Sequence, residues 1–490
     1  MSNLIKKIKQ LNPEVVIGIT ALIFYVLIFV FSRLKFPNDD QFILYRYIDN
    51  IVSGNGFVYN VGDRVLGATT PLFTLVCAFM KYLLPSVSTP SVVSLVNIVL
   101  LALSSALFFR VSKVFLGSKL SAFASLIFIL NLSRTIPEGM ETPLFLFTTF
   151  AFLNCLFDKR FLASSVFLSL AVLTRPDASI IALLAFIYWI SEMPLKKAMR
   201  LTLISIAIAL PWLVFATIYF GSFMPQSLAT KLHSHDIYHL ASLQGLKVQV
   251  AHISKIYWGK IFDPDNIFLQ ILVNLLPILT LIALGVRRML DKKGLIVVAI
   301  PVFYLMSFSL SNPIIFPWYL SQMEPFWILI SIVGLGAVYN QINKKLFIAL
   351  ALLLLIGPVY YFTNALVSGY EGSKVAAFKV GEFIKSEMNQ GDSVGLADIG
   401  IVGYVSGAQV VDFIGLVSSD SVYYYPVSDA CVNKSELYVI PPRLVFDKRP
   451  DWIVAGINTM EDCFLSSKWF KDNYRLAKVI SGAYIWKLNK

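Results

Sequence analysis

The sequence predicts a polytopic α-helical membrane protein with a small extracytoplasmic α/β domain at its C-terminal end. Three observations predict it. The 490 residues are 57% apolar and 14% charged, a balance that soluble domains of this length do not show. The apolar residues gather into runs of membrane length separated by short basic turns. After Val367 that pattern stops, and short β-branched runs alternate with polar turns.

The runs that can span lie at 14–33, 91–110, 120–135, 143–157, 161–174, 177–192, 201–219, 266–285, 294–311, 317–338 and 346–366. They predict about 11 transmembrane helices. Several are shorter than about 17 residues, so they must tilt, kink or be sheltered by neighbours. The first run follows Lys6, Lys7 and Lys9. It is too long for a signal-peptide core and lacks a small-residue cleavage site, which predicts an uncleaved first helix. A further apolar segment, 71–84, starts at Pro71 and stops before Pro85.

Basic residues set the orientation. Lys6/Lys7/Lys9, Arg110/Lys113/Lys119, Lys159/Arg160, Lys196/Lys197/Arg200, Arg287/Arg288/Lys292/Lys293 and Lys344/Lys345 all mark short turns. They can share the cytoplasmic side only if 71–84 does not cross, which makes it a re-entrant or interfacial helix on the outer side. The N-terminus then lies inside and the C-terminus outside. The net charge of +12 does not point to nucleic acid: from Val367 onward the chain has 13 basic and 14 acidic residues. The excess sits in the membrane part, where it reports orientation.

The expected organisation is a transmembrane domain over 1–366 and an extracytoplasmic α/β domain over 367–490. The first contains an outer loop at 34–70 and another at 221–265. In the second, Val375–Met388 has helical period, and Ser393–Ala397, Gln409–Phe413 and Trp452–Ala455 read as strands. Tyr474–Lys487 reads as a hairpin around Ser481-Gly482. Cys77 and Cys155 lie in apolar segments, as small core hydrophobes do. Cys431 and Cys463 lie in the polar tail, where an oxidising compartment allows a disulfide.

The densest chemistry follows the first helix, at Phe36-Pro37-Asn38-Asp39-Asp40-Gln41-Phe42. Asn38 suits a helix N-cap, with Asp39 and Asp40 in the first turn. Seven residues apart, Asp39 and Arg46 share one helical face, and Asp40 and Tyr47 the next. An acid and a guanidinium about 10 Å apart along a helix could bracket a phosphorylated substrate. The plainer reading is that two acids complement the helix dipole. Ionisable residues where a membrane helix emerges are a functional-site hypothesis in their own right.

The stretch continues as Gly54-Asn55-Gly56-Phe57-Val58-Tyr59-Asn60 and Gly62-Asp63-Arg64-Val65-Leu66-Gly67-Ala68-Thr69-Thr70-Pro71-Leu72. Here the sequence resembles the GT-C superfamily of polyprenyl-phosphate-sugar glycosyltransferases. Within it, the sequence is most similar to the terminal arabinofuranosyltransferases of actinobacterial cell walls and their bacterial relatives. It departs from that pattern at Leu66, usually Glu, and Ala68, usually Tyr. Further islands resemble the family in the same order: Gly139-Met140-Glu141-Thr142, Leu173-Thr174-Arg175-Pro176-Asp177, and Tyr219-Phe220-Gly221 with Pro225 and Lys231. In the tail they are Asp398-Ile399-Gly400, Gly403-Tyr404 and Asp412-Phe413-Ile414-Gly415-Leu416.

The resemblance implies a multi-pass protein of the bacterial inner membrane with a periplasmic tail. It implies transfer of a sugar, a pentose such as arabinofuranose or a hexose, from a polyprenyl phosphate to a cell-surface glycan or glycolipid. It also implies inversion at the anomeric carbon with an aspartate as general base. Asp39 or Asp40 fills that role, with Asp40 preferred. Arg46, Arg64, Glu141, Arg175 and Lys231 are the residues expected to bind donor phosphate or sugar. The resemblance fixes no cofactor and leaves a divalent cation open, as some superfamily members hold one, with Asp39, Asp40 and Glu141 as the available ligands. His233, His235 and His239 match no strong metal spacing, and Phe316, Trp318 and Tyr319 read as an interfacial aromatic belt. A transporter or flippase of a lipid-linked sugar is the alternative. It would ordinarily show paired, broken helices in inverted repeats, and no such symmetry is present. A non-catalytic scaffold for envelope assembly would explain the tail but not the acid-rich loop.

Overall fold

The computed structural model describes residues 12–31, 38–228, 230, 242–258, 275–311, 317–367, 372–425, 440–456 and 462–489. The fold joins an apolar helical part to a small C-terminal sheet domain. Its residues fall into two compact units. One comprises Met1–Leu34, Ser94–Pro211 and Leu240–Ser368, the other Lys35–Val93, Trp212–His239 and Gly369–Lys490.

The first unit is helical, and among the described residues each apolar run of the sequence that lies in it contributes a helix. Among the described residues of the whole chain, five helices are long and apolar enough to cross a membrane: Pro13–Phe31, Thr89–Lys113, Leu195–Phe220, Lys292–Leu310 and Lys344–Asn364. The short runs are the sheltered ones. In Thr142–Phe157 nearly every side chain is buried, and in Glu324–Val338 burial is unbroken from Glu324 to Leu335. Both begin with a proline in the first turn, where its missing N–H costs nothing. The long helix Pro13–Phe31 buries only Ala21, Tyr25 and Ile28, as a helix facing lipid should.

Close packing in this unit depends on small residues. A Cβ at Gly285 would strike the Ile330 carbonyl, and one at Gly334 the Leu281 carbonyl. Helices Leu276–Arg288 and Glu324–Val338 therefore meet backbone to backbone, the small-residue mode of membrane helix pairing. The last apolar run divides into Lys344–Leu353 and Ile356–Val367. Pro358 explains the break: it has no N–H for the Leu354 carbonyl, and its ring crowds that carbonyl.

The second unit holds the described residues that follow the first helix, from 38 to 93, and the tail. Helix Asp39–Val52 buries Phe42, Ile43, Leu44, Tyr45, Tyr47 and Ile48 and packs on Pro71–Leu83 and Ile401–Ser406. Helix Gly372–Glu387 packs on Ile401–Ser406 from its own side. The sheet has strands β1 (Ser393–Leu396), β2 (Gln409–Asp412), β3 (Trp452–Ala455), β4 (Tyr474–Ile480) and β5 (Ala483–Leu488), in the order β2-β1-β3-β5-β4. β1 runs parallel to β2 and β3, and β5 antiparallel to β3 and β4. Register pairs Ser393 with Gln409 and Leu396 with Asp412. Ser481 and Gly482 turn the β4–β5 hairpin with φ of 48° and 89°, the positive values a two-residue hairpin turn needs. Phe413, Ile440, Leu444, Val445, Ile453, Phe464 and Phe470 form the core behind it.

Candidate functional site

Helix Asp39–Val52 starts after Asn38, whose backbone is extended as an N-cap's should be, but the Asn38 side chain makes no capping bond. The first-turn acids differ in what they do. Asp39 is half-buried, and its two oxygens accept the backbone N–H groups of Gly400 and Ile401, each at 2.7 Å. It thus caps the first turn of helix Ile401–Ser406 from another part of the chain. Asp40 is exposed. Burial pushes the Asp39 carboxyl up to about 7, with the Asp398 and Asp40 carboxylates adding to the rise and the two amides opposing it.

Arg46 lies two turns on from Asp39 and is engaged throughout its guanidinium. Nε donates to the Tyr59 carbonyl and Nη1 to the Gly403 carbonyl, each at 2.8 Å; Nη2 donates to the Ala408 carbonyl at 2.7 Å. Nη2 also reaches Asn60 Oδ1 at 3.3 Å, and the group lies 4.4 Å from the Tyr59 ring centroid. Asn60 completes a two-way pair with Val410, donating to its carbonyl and accepting its N–H. Tyr59 donates to the Ile399 carbonyl at 2.5 Å, and Tyr404 to Asp49 at 2.8 Å. Tyr47 donates to the Val65 carbonyl and accepts the Gly67 N–H. Asp412 turns its carboxylate onto the N–H groups of Ile414 and Val417. Burial raises its pKa to about 6 against those amides.

The glycines of this unit mark its closest approaches. A Cβ on Gly400 would meet the Asp39 carbonyl and carboxylate, and one on Gly403 the Tyr59 hydroxyl. At Gly67 it would stand 2.7 Å from the Val417 side chain and 2.8 Å from the Leu416 carbonyl. Gly67 of the first loop thus fits against the tail, and Gly400 and Gly403 of the tail against the first loop.

In the first unit, Arg175 caps the end of helix Phe161–Thr174 with extended backbone. Nη2 and Nε donate to Asp177 at 2.8 and 3.1 Å, and Nη1 to Glu141. Burial opposes the Arg175 charge, and Asp177 and Glu141 outweigh it, holding its pKa above the ordinary guanidinium value. Gln322 extends the set, donating to Asp177 at 3.4 Å. A second cluster in the same unit was not anticipated from the sequence. Arg134 pairs with the buried carboxylate of Glu324, which also meets His252 Nε2 at 2.7 Å. Arg134 further donates to Ser321 Oγ and lies over the Tyr361 ring. An acid inside the apolar run 317–338 was the signal that could have found it.

The expected site residues therefore fall in three places. Asp39, Asp40, Arg46 and Arg64 lie in the unit that contains the tail, with Arg64 exposed and 4.7 Å from the Tyr219 ring centroid. Glu141 and Arg175 are paired in the helical unit. Lys231, like His233, His235, His239, Phe316 and Cys431, lies outside the described residues. Cys77 and Cys155 are free. Among the described residues no group of three or more His, Cys, Asp or Glu side chains is placed to hold a metal ion.

Residues 365–488 match a family described as a domain of unknown function, DUF8728. No curated protein matches the chain. Among solved structures, the chain is similar to ArnT from Cupriavidus metallidurans bound to undecaprenyl phosphate. The TM-score is 0.60 at 10% identity, over 96% of this chain and 97% of that one. It is also similar to the archaeal oligosaccharyltransferase AglB from Archaeoglobus fulgidus in complex with an inhibitory peptide and a dolichol-phosphate. That match has a TM-score of 0.55 at 9% identity, over 89% of this chain and 69% of that one. The Archaeoglobus fulgidus oligosaccharyltransferase tethered to an acceptor peptide gives a TM-score of 0.54 at 11% identity, covering 90% and 69%. At these identities the likeness is one of fold.

Proposed function

We propose that the chain is a membrane glycosyltransferase that moves a sugar from a polyprenyl phosphate to a glycan or glycolipid on the extracytoplasmic face of a bacterial inner membrane. The observation that carries this reading is the fold shared along almost the whole chain with a protein solved with undecaprenyl phosphate bound. The acid-bearing helix supports it, because two adjacent carboxylates stand in its first turn, Asp39 held by backbone amides and Asp40 solvent-facing beside it.

In the proposed step the acceptor hydroxyl attacks the anomeric carbon and gives its proton to Asp40. The bond from that carbon to the phosphate oxygen breaks, and its electron pair leaves on the polyprenyl phosphate. The sugar configuration inverts and no covalent enzyme intermediate forms. Arg64 and Lys231 are assigned to the donor phosphate. The Arg175–Glu141 pair is assigned to sugar hydroxyls, since the guanidinium is already balanced by carboxylates. Arg46 is assigned to holding the loop, because carbonyl groups and Asn60 occupy its donors. The sugar proposed is arabinofuranose or another pentose or hexose, with a surface polysaccharide or lipopolysaccharide as acceptor.

The test is transfer from labelled polyprenyl-phosphate sugar by purified full-length protein. Asp40→Asn is expected to lower turnover by about 10²–10⁴-fold, the range for loss of a general base. Full transfer by a normally expressed Asp40→Asn variant would remove Asp40 from the mechanism.

A further inference from the structure

The C-terminal domain has a matched family description that assigns it no function, and the structure gives it one. We propose that residues 397–417 are the positioning half of the acid site: they clamp helix Asp39–Val52 so that Asp40 is presented to substrate. The proposal deepens the glycosyltransferase reading and rests on it for the identity of the reaction, though not for the clamp itself.

Helix geometry carries the inference. Asp39 and Arg46 are seven residues apart and lie on one face, two turns from each other. Asp39 is pinned by the Gly400 and Ile401 amides, Arg46 by the Gly403 and Ala408 carbonyls. Two pins on one face, about 10 Å apart, stop a helix from both rotating and sliding. Asp40 follows Asp39 by about 100° of helical rotation, so fixing one sets the direction of the other.

At Asp39 and Arg46 the clamp is made by backbone groups of the tail, so its specificity there lies in shape, and the Tyr404 hydroxyl adds a side-chain bond to Asp49. Gly400 and Gly403 are the positions where any side chain would strike Asp39 or Tyr59. Tyr59 and Asn60 tie the rest of the loop to Ile399 and Val410, and Gly67 seats the loop end against Leu416 and Val417. Hydrogen bonds between positions 357 to 362 apart thus hold the acid helix at Asp39 and at Arg46. Asp39 and Gly400 are on this view positioning residues. Neither touches substrate.

The experiment uses full-length protein in lipid nanodiscs, comparing wild type with Gly400→Ala and with the isosteric Asp39→Asn. Hydrogen exchange across Asp39–Val52 is expected to quicken about tenfold or more in both, as charge-assisted bonds are lost. Exchange in helices of the other unit, such as Thr142–Phe157, is expected to stay as in wild type. In the transfer assay kcat is expected to fall about tenfold or more while KM for the donor holds, as for groups that orient rather than bind.

Unchanged exchange across Asp39–Val52 in both variants overturns the clamp. So does a rise in donor KM at constant kcat, which would make the tail a donor-binding surface. If Gly400→Ala fails to fold, Asp39→Asn decides by the same two measurements. The exchange arm needs no substrate, so it decides the clamp even where the transfer assay decides against a glycosyltransferase.

Discussion

Asp39 accepts from backbone amides 361 and 362 positions away, whereas Arg175 is neutralised by side chains 2 and 34 positions away. Both are charged groups withdrawn from water, and both need partners. The means differ, and so does what each tolerates. A backbone amide is present whatever residue carries it, so the Asp39 arrangement is sensitive to size at Gly400 and indifferent to charge there. The Arg175 arrangement is sensitive to charge at Glu141 and Asp177. One region of the molecule is specified by the space left open, the other by the groups put in.

The largest effect expected from this contrast is at Arg175. Arg175→Ala leaves Glu141 and Asp177, both mostly buried, without their cation. It should cost about 3–5 kcal/mol of stability, read as denaturation in detergent. Adding Glu141→Gln and Asp177→Asn should restore much of the loss. If the triple variant is no more stable than the single one, side-chain charge is not what the region depends on.

Arg46→Lys comes next. The charge stays, but the planar fork that serves carbonyls of Tyr59, Gly403 and Ala408 is lost, at about 1.5–3 kcal/mol. A smaller loss than at an exposed lysine-to-alanine control would collapse the distinction between the two regions.

The smallest effect is a pH dependence confined to the backbone-held acids. The Asp39 and Asp412 carboxyls are raised from 3.8 to about 7 and about 6. Between pH 4 and 7 the folded chain therefore keeps protons that the unfolded chain has released. The stability this contributes is complete below about pH 4 and is lost as the pH rises through the folded values. Asp412→Asn mimics the protonated form, so its stability relative to wild type should climb between about pH 4 and 6 and level off above. A difference that stays flat over that interval would show that burial does not disfavour the charged form.

The tail's elements were legible nearly to the residue. Ser393–Leu396, Gln409–Asp412 and Trp452–Ala455 are strands, and Ser481-Gly482 turns the last hairpin. Short β-branched runs bounded by Gly, Asp and Pro carry that information locally. The helices followed from apolar runs, although Pro358 breaks the last one, a local signal the run itself masked. The partners of Asp39 and Arg46 were not legible. Spacing places the two on one face of a helix and suggests a phosphate between them; the structure puts tail backbone against both. Amides and carbonyls leave no residue-type signature, and only the glycines at 400 and 403 hint at a close approach. Arg175 with Asp177 was the opposite case, since both sit in one five-residue island. Arg134 and Glu324 lie 190 positions apart, and nothing in either segment names the other.

The separation between Asp39 and Gly400 has a consequence for biogenesis. Helix Asp39–Val52 leaves the ribosome early, and its clamp arrives 361 residues later. At about 5–20 residues per second the interval is roughly 20–70 s. Throughout it the first loop has been translated while residues that will hold it have not. Long-range closure of this kind comes late in folding, so the acid helix is among the last parts of the chain to reach its final setting. A chain cut short between residues 368 and 396 would complete its apolar helices and still display Asp39 and Arg46 without these partners, a state that quality control can recognise by the polar face it leaves bare.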